Sequence, residues 1–260
     1  SDGLSLGTHN LTAVVENPSN GAGGQVSDVF AITVDTTAPA YVSTAASGNT
    51  VTLTFNDNLD ASSVPLRSAF AVTVDGLARN VVGVSINNSQ VVLNIDGAAL
   101  NTEAVNVIYQ APATNGLRDL AGNAVSSANV VVGTSGVNTL VGTAGADIIT
   151  GNQGDDTLTG GGGSDVFDFN VTSDGNDTIT DFAIGAGGDS LDLSDILAYT
   201  SADTLGDFLT VTDNGAGNSV TVGVDSNGDG SGADITITLS GIGTGSLSLA
   251  DFETNNLVVL

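Results

Sequence analysis

An acid or its amide returns every nine residues through the middle of this chain, at Asn138, Asp147, Asp156 and Asp165. Around these positions the chain divides without a gap into GTSGVNTLV from Gly133, GTAGADIIT from Gly142, GNQGDDTLT from Gly151 and GGGGSDVFD from Gly160. Each nonapeptide has glycine in first and fourth place, so Gly133 and Gly136 are followed by Gly142 and Gly145, Gly151 and Gly154, and Gly160 and Gly163. With glycine at 35 of 260 positions, eight at those places arise by chance on the order of once in ten million trials. Glycine permits the positive φ of a tight half-turn. The sixth residue then points its carboxylate into the turn, and the eighth (Leu140, Ile149, Leu158, Phe167) faces inward from a short strand. Turns on one side stack two repeats apart, which pairs Asn138 with Asp156 and Asp147 with Asp165. Carboxylates and backbone carbonyls so gathered are ligands for a hard, oxygen-seeking cation.

Two looser continuations follow at twelve-residue steps, Gly175-Asn176-Asp177-Thr178-Ile179 and Gly187-Gly188-Asp189-Ser190-Leu191, and Asp177, Asp181, Asp189 and Asp192 are read as a further metal site beside the alternative of ordinary turn aspartates. Asp225-Ser226-Asn227-Gly228-Asp229-Gly230 opens like an EF-hand loop, but Thr236 stands where a bidentate glutamate belongs and no flanking helices are expected. It reads as a hairpin loop with Asp225, Asn227, Asp229 and Asp234 as candidate ligands, or as a plain polar turn. Catalytic constellations are missing: the sole histidine is His9, there is no cysteine, and neither H-E-x-x-H nor G-x-S-x-G occurs. The pair Asp155-Asp156 imitates a glycosidase dyad, yet metal ligation accounts for it better. The expectation is therefore a protein that is not an enzyme.

Composition agrees. The net charge is −26, with 29 acids against Arg67, Arg79 and Arg118 and no lysine. Nothing here neutralises phosphates, so nucleic acid and anionic membrane are excluded as partners. Ten acids precede Gly133 and nineteen follow it, whereas all three arginines precede it. Only Glu16, Glu103 and Glu253 are glutamates; the short arm of aspartate suits tight, multidentate oxygen sites. No run is long and apolar enough for a transmembrane helix, and the first residues lack the pattern of a signal peptide.

The elements that must position these groups are strands. Period-two alternation marks Val51 to Phe55, Phe70 to Val74, Val91 to Ile95, Val105 to Tyr109, Val220 to Val224 and Ile235 to Leu239. Helical periodicity is nearly absent, with Asp192 to Tyr199 the best short candidate. A linker is expected at Asp35-Thr36-Thr37-Ala38-Pro39, and a second boundary near Val132, where spaced strands give way to the repeat. Residues 1–34 hold about two or three strands, too few to close a sandwich.

Three resemblances attach to these residues. The nonapeptides from 133 to 168 resemble the calcium-binding repeats of the repeats-in-toxin (RTX) class, whose fold is a parallel β-roll. Residues from about 165 to 260 are similar to the C-terminal target domain of type I secretion substrates, through Asp165-Val166-Phe167, Asp177 to Phe182, Asp189 to Ser194 and Leu257 to Leu260. Residues 40–132 resemble the bacterial Ig-like repeat of the swimming protein SwmB and of large adhesins, through Val51 to Phe55, Leu59-Asp60, Ser63 to Pro65, Tyr109 to Ala113 and Asp119 to Asn123. Residues 1–39 look like the end of another Ig-like domain whose linker, by the same resemblance, holds calcium through Asp28 and Asp35.

Together they imply an all-β chain in four parts: strands of a partial Ig-like domain with its linker (1–38), an Ig-like β-sandwich (39–132), a short parallel β-roll (133–170) and a β-rich C-terminal cap (171–260). The implied function is that of a calcium-dependent, monomeric end module of a secreted or surface-attached bacterial adhesin, a class that includes biofilm proteins. It is carried by a type I exporter and folds in calcium outside the cell, with the adhesion ligand undefined. Alternatives are the non-catalytic tail of a secreted hydrolase, and a ligand-binding Ig-like module.

Overall fold

All six alternating runs are strands. The computed structural model describes residues 7–11, 14–15, 25–26, 30–100, 102–185, 187–198, 204–214, 219–242, 247–254 and 258–259. In it the six runs lie within Tyr41–Phe55, Phe70–Val74, Gln90–Ala99, Val105–Tyr109, Ser219–Val224 and Ile235–Ser240. Side chains follow the period: Val51, Leu53 and Phe55 are buried while Thr52 and Thr54 between them are half-exposed. The chain is all-β apart from a few short helical turns. At its start, Gly7–Leu11 pairs antiparallel with Phe30–Val34, and Val14–Val15 with Gln25–Val26.

Residues 41–132 form two facing layers. One is a three-stranded antiparallel sheet in the order Tyr41–Phe55, Gln90–Ala99, Val81–Asn87. The other runs Leu77–Arg79, Phe70–Val74, Val105–Tyr109, Ala128–Val132. Val51, Leu53, Val91 and Leu93 of the first layer share a core with Val72, Val74, Val107 and Tyr109 of the second. The hairpin between Phe70–Val74 and Leu77–Arg79 turns on Asp75 (φ 49°) and Gly76 (φ 73°). Positive φ at both central residues matches the strand twist.

The second layer does not stop where the repeat begins. Ala128–Val132 pairs antiparallel with Val105–Tyr109 on one side and parallel with Asp147–Thr150 on the other. The same sheet goes on through Val166–Asp168, Ser190–Asp192 and Val258–Val259. The boundary expected near Val132 is therefore a shared strand. Val131 belongs to the core of the roll, whereas its neighbour Val130 lines an apolar cavity of about 190 Å³ with Leu53, Tyr109 and Leu117. A strand buried on both faces has no polar alternation to show, which is why Val130-Val131-Val132 resembles the end of an element more than its middle.

The opposite wall of the roll is Thr139–Val141, Thr157–Thr159, Asn176–Ile179 and Ile235–Ser240, all in parallel. Inward apolar residues stay in register as the spacing grows. Leu140 lies beside Leu158 and Ile149 beside Phe167, and then Leu158 lies beside Ile179 and Phe167 beside Leu191. Three-residue insertions are absorbed between strands, and the core positions are kept.

The wall then turns antiparallel: Ile235–Ser240 pairs with Ser219–Val224, and that strand with Leu209–Asp213. Helices Leu205–Phe208 and Leu249–Thr254 bring Leu205, Phe208 and Phe252 onto the core that holds Ile149 and Phe167. The first carries a capping box, Thr204 with Asp207. Roll and cap thus share one apolar core across the expected 170/171 boundary. Among the described residues no helix lies between Asp192 and Ala198. Ser190–Asp192 is instead a strand of the roll, and Leu191 and Leu193, both 0% exposed, hold this segment to the core at a spacing of two; Tyr199 lies outside the described residues.

Because Phe167 is 0% exposed in the core common to roll and cap, Phe167→Ala in calcium is expected to cost about 3–5 kcal/mol. Chemical denaturation should show one lowered transition for residues 133–260. A midpoint matching the unaltered protein would contradict a shared core.

Candidate metal centre

The sixth-position residues form two columns. In one, the Asn138 N–H donates to Asp156 Oδ1 at 2.7 Å, and the Asp156 N–H to Asp177 Oδ1 at 2.8 Å. In the other, Asn129 Nδ2 donates to Asp147 Oδ1 at 2.7 Å, the Asp147 N–H to Asp165 Oδ1 at 3.0 Å, and the Asp165 N–H to Asp189 Oδ1 at 2.9 Å. The pairs Asn138 with Asp156 and Asp147 with Asp165 are brought together as spaced. Each column also gains members: Asp177 completes the first, Asp189 the second, and Asn129 starts the second from within the shared strand.

Glycine at the first position follows from this arrangement, since the carboxylate folds back over its own turn. A Cβ on Gly151 would lie 2.5 Å from Asp156 Oδ2, one on Gly142 2.5 Å from Asp147 Oδ2, and one on Gly160 2.2 Å from Asp165 Oδ2. In fourth place, Gly154 and Gly163 have φ of 128° and 124°, and a Cβ on Gly163 would be 2.6 Å from the carbonyl carbon of Gly145 in the turn beneath. Gly145 itself meets nothing closer than 3.8 Å, so the first turn of that column is not sterically bound to glycine.

Electrostatically the columns are unfinished. Burial, followed by the charges of Asp189, Asp147 and Asp181, raises the Asp165 carboxyl to about 6. Burial and the charges of Asp156 and Asp155 raise Asp177 to about 7, and Asp156 and Asp189 are raised for the same kind of reason. No basic side chain follows Arg118, and Arg118 is engaged upstream with Asp60 at 2.9 Å. Three buried oxygens near the columns have no hydrogen-bond partner: Asp156 Oδ2, Asp174 Oδ1 and Asn129 Oδ1. An all-oxygen set with orphaned, mutually repelling carboxylates fits a calcium ion.

Asp177, Asp181, Asp189 and Asp192 do not converge on one point. Asp181 clasps the turn at Gly160 and Gly161, accepting both N–H groups at 2.8 Å. Asp189 also accepts the Ala183 N–H at 2.7 Å. Asp192 is on the sheet beside Asp168, where it accepts the Ser194 N–H and hydroxyl. Its charge, with that of Asp195, adds to burial in raising Asp168 to about 7. In the 225–234 loop, Asp225 accepts the Gly228 and Gly230 N–H groups, Asn227 that of Asp229, Asp229 that of Ser231, and Asp234 that of Ser226. These are the bonds of a closed polar turn, and none of its carboxylates is orphaned.

Asp28 lies outside the described residues. Asp35 joins Asp57 and Asp119, and one carboxylate oxygen from each lies within 4.8 Å of the others. Asn123 Nδ2 ties this group together, donating to the Asp35 carbonyl and to Asp119 Oδ2. Sequence spacing cannot reveal Asp57 and Asp119, which the fold brings from distant loops. Asp174 left a fainter trace, the third place of a turn ending at Asp177.

Residues 132–167 match the model of the RTX calcium-binding nonapeptide repeat in four copies, and residues 34–114 match that of a "putative flagellar system-associated repeat". Among solved structures, the chain is similar to the AlgE6R3 subunit of the Azotobacter vinelandii mannuronan C5-epimerase, with 23% identity over 51% of this chain and 72% of that one and a TM-score of 0.38. It is also similar to the N-terminal part of the bacterial S-layer protein SbsC, with 17% identity over 35% of this chain and 22% of that one and a TM-score of 0.29. No curated protein matches it. Among the described residues no helix is long and apolar enough to cross a membrane.

Raised carboxyls give the metal-free fold a definite pH response. Their folded-state pKa lies above the unfolded value of 3.8, at about 6 for Asp165 and about 7 for Asp168 and Asp177. Their contribution is thus full below about pH 4 and is lost as pH rises through 6 to 7. Acids with lowered pKa, such as Asp60 and Asp119, act only below that window. In chelator the melting temperature should fall between about pH 4.5 and 7.5, followed by circular dichroism; a flat or rising profile would refute the assignment.

Proposed function

We propose that this chain is a calcium-dependent end module of a secreted bacterial surface adhesin, exported by a type I system and folded by calcium outside the cell. The observation that carries the reading is the pair of columns of buried sixth-position carboxylates, with Asp156 Oδ2 orphaned among them, in a half-chain without a single positive side chain. Asn138, Asp156 and Asp177 hold calcium in one column, and Asp147, Asp165 and Asp189 in the other. The turn glycines Gly142, Gly145, Gly151, Gly154, Gly160 and Gly163 add backbone carbonyls, and Asp181 braces the turn at Gly160. Asp35, with Asp57 and Asp119, is the upstream candidate; Asp192 and the 225–234 loop are lesser ones.

The mechanism follows from charge. At low calcium the aspartates repel and the glycine-rich chain stays open, a form suited to passage through a narrow exporter. Outside, calcium near millimolar fills sites whose affinity need be only ~10⁻⁴ to 10⁻³ M. Binding free energy then becomes folding free energy. The module carries no catalytic role in this reading. The layered unit at 41–132 is held by an apolar core and acts as a spacer, which favours an adhesin over the tail of a hydrolase.

Far-ultraviolet circular dichroism and melting of the whole chain, with calcium and with chelator, test the proposal. Calcium should restore the β signal of residues 133–260 and raise their melting temperature by more than 10 °C, roughly the effect of a few kcal/mol. A signal and melting temperature indifferent to chelator would end the proposal.

A further inference from the structure

The turn that ends at Asp177 contains an acid outside the sixth-position pattern. Counted back from Asp177, Asp174 stands third, just before Gly175; the third residues of the earlier turns are Ser135, Ala144, Gln153 and Gly162. Stacking confirms the count. A Cβ on Gly175 would strike the carbonyl oxygen of Gly154 at 2.1 Å, much as one on Gly154 would meet Gly136. In addition, the Gly154 N–H donates to the Asp174 carbonyl at 2.8 Å. Turn 172–177 therefore sits directly on turn 151–156.

The third residues of the earlier turns are exposed or half-buried. Asp174 is 1% exposed, and its Oδ1 has no hydrogen-bond partner. Burial raises its carboxyl, and among the neighbouring charges Asp177 acts most strongly, with Asp168 and Asp156 behind it. In the turn beneath, Asp156, which lies under Asp177, has a second buried oxygen without a partner, Oδ2. Two orphaned carboxylate oxygens on adjoining turns, beside a third acid and without a basic residue in this half of the chain, are oxygen ligands that a cation would draw together.

We propose that Asp174 is a metal ligand, holding a calcium-class divalent cation between turns 151–156 and 172–177 together with Asp156 and Asp177. The inference rests on the calcium reading of the roll and adds to it a step with three carboxylates, beyond the four matched repeats. This is the step where the period lengthens from nine to twelve. It is also where the wall hands over to the cap, since Asn176–Ile179 pairs with Ile235–Ser240. Greater ligand charge makes for tighter binding, so this step fills ahead of those with fewer acids and fixes the turn on which the cap is built.

Calorimetric titration of the full chain with calcium chloride tests this on three proteins: unaltered, Asp174→Asn, and Asp195→Asn as a control that removes one exposed charge from the same half. Support is the loss of the tightest binding class in Asp174→Asn, or its weakening by at least about tenfold, with the control unaffected. A titration of Asp174→Asn that overlays the unaltered protein overturns the proposal and leaves the roll's own sites standing; equal losses in both variants also overturn it. No calcium uptake by the unaltered protein brings down the roll reading and the proposal together. Melting guards against a folding defect. A cation ligand replaced by an amide lowers the melting temperature in calcium but holds or raises it in chelator, whereas a fall in both conditions means a structural role and overturns the assignment.

Discussion

A backbone N–H in each turn donates to the carboxylate of the turn stacked above it, and this one bond sets the terms for the rest of the roll. It holds successive turns at strand spacing, about 4.8 Å, and in doing so it places aspartate over aspartate. Glycine in first place, the fold-back of each carboxylate and the burial of its outer oxygen all follow from that contact. The repulsion it creates has no remedy within residues 133–260, whose acids have no basic side chain among them. On the proposed reading, stability there is conditional on something outside the chain.

Residues 41–132 are built on other terms. Their core is apolar from Val51 to Val125, and the buried Tyr109 hydroxyl accepts the Leu117 N–H at 2.8 Å. Such a unit depends on the solvent's ions far less. The contrast between the two halves is one of mechanism: burial of hydrocarbon in one, completion of an oxygen cage in the other. The single core that runs from Leu140 to Phe252 ties the cap to the roll as well.

Much of this was legible in the residues, because strict periods leave marks. Strands with one wet face alternate, and turns that stack keep acid and glycine in phase. What escaped has a physical reason in each case. Val130-Val131-Val132 is buried on both faces and shows no alternation, so a shared strand resembles a boundary. Asp177, Asp181, Asp189 and Asp192 look like one group in sequence, yet twelve-residue steps send them to different sides of the roll. The helices Leu205–Phe208 and Leu249–Thr254 are too short for a 3.6 period to declare itself. Asp57 and Asp119 meet Asp35 only through tertiary packing, and Asp174 is distinguished by burial, which spacing does not encode.

The strand Ala128–Val132 bears on mechanics. Two bodies joined by a tether swing freely, and a pull on one is first spent in straightening the slack. Here there is no slack: Val131 is seated in the roll while Val130 looks toward the sandwich side, and hydrogen-bond ladders flank the strand on both edges. Tension along the chain would pass from one body to the other as shear across a continuous sheet, and the joint could bend only as far as that sheet twists. Such a joint would behave as a stiff rod, and under the proposed calcium dependence its rigidity would persist only while the cage beside it is filled.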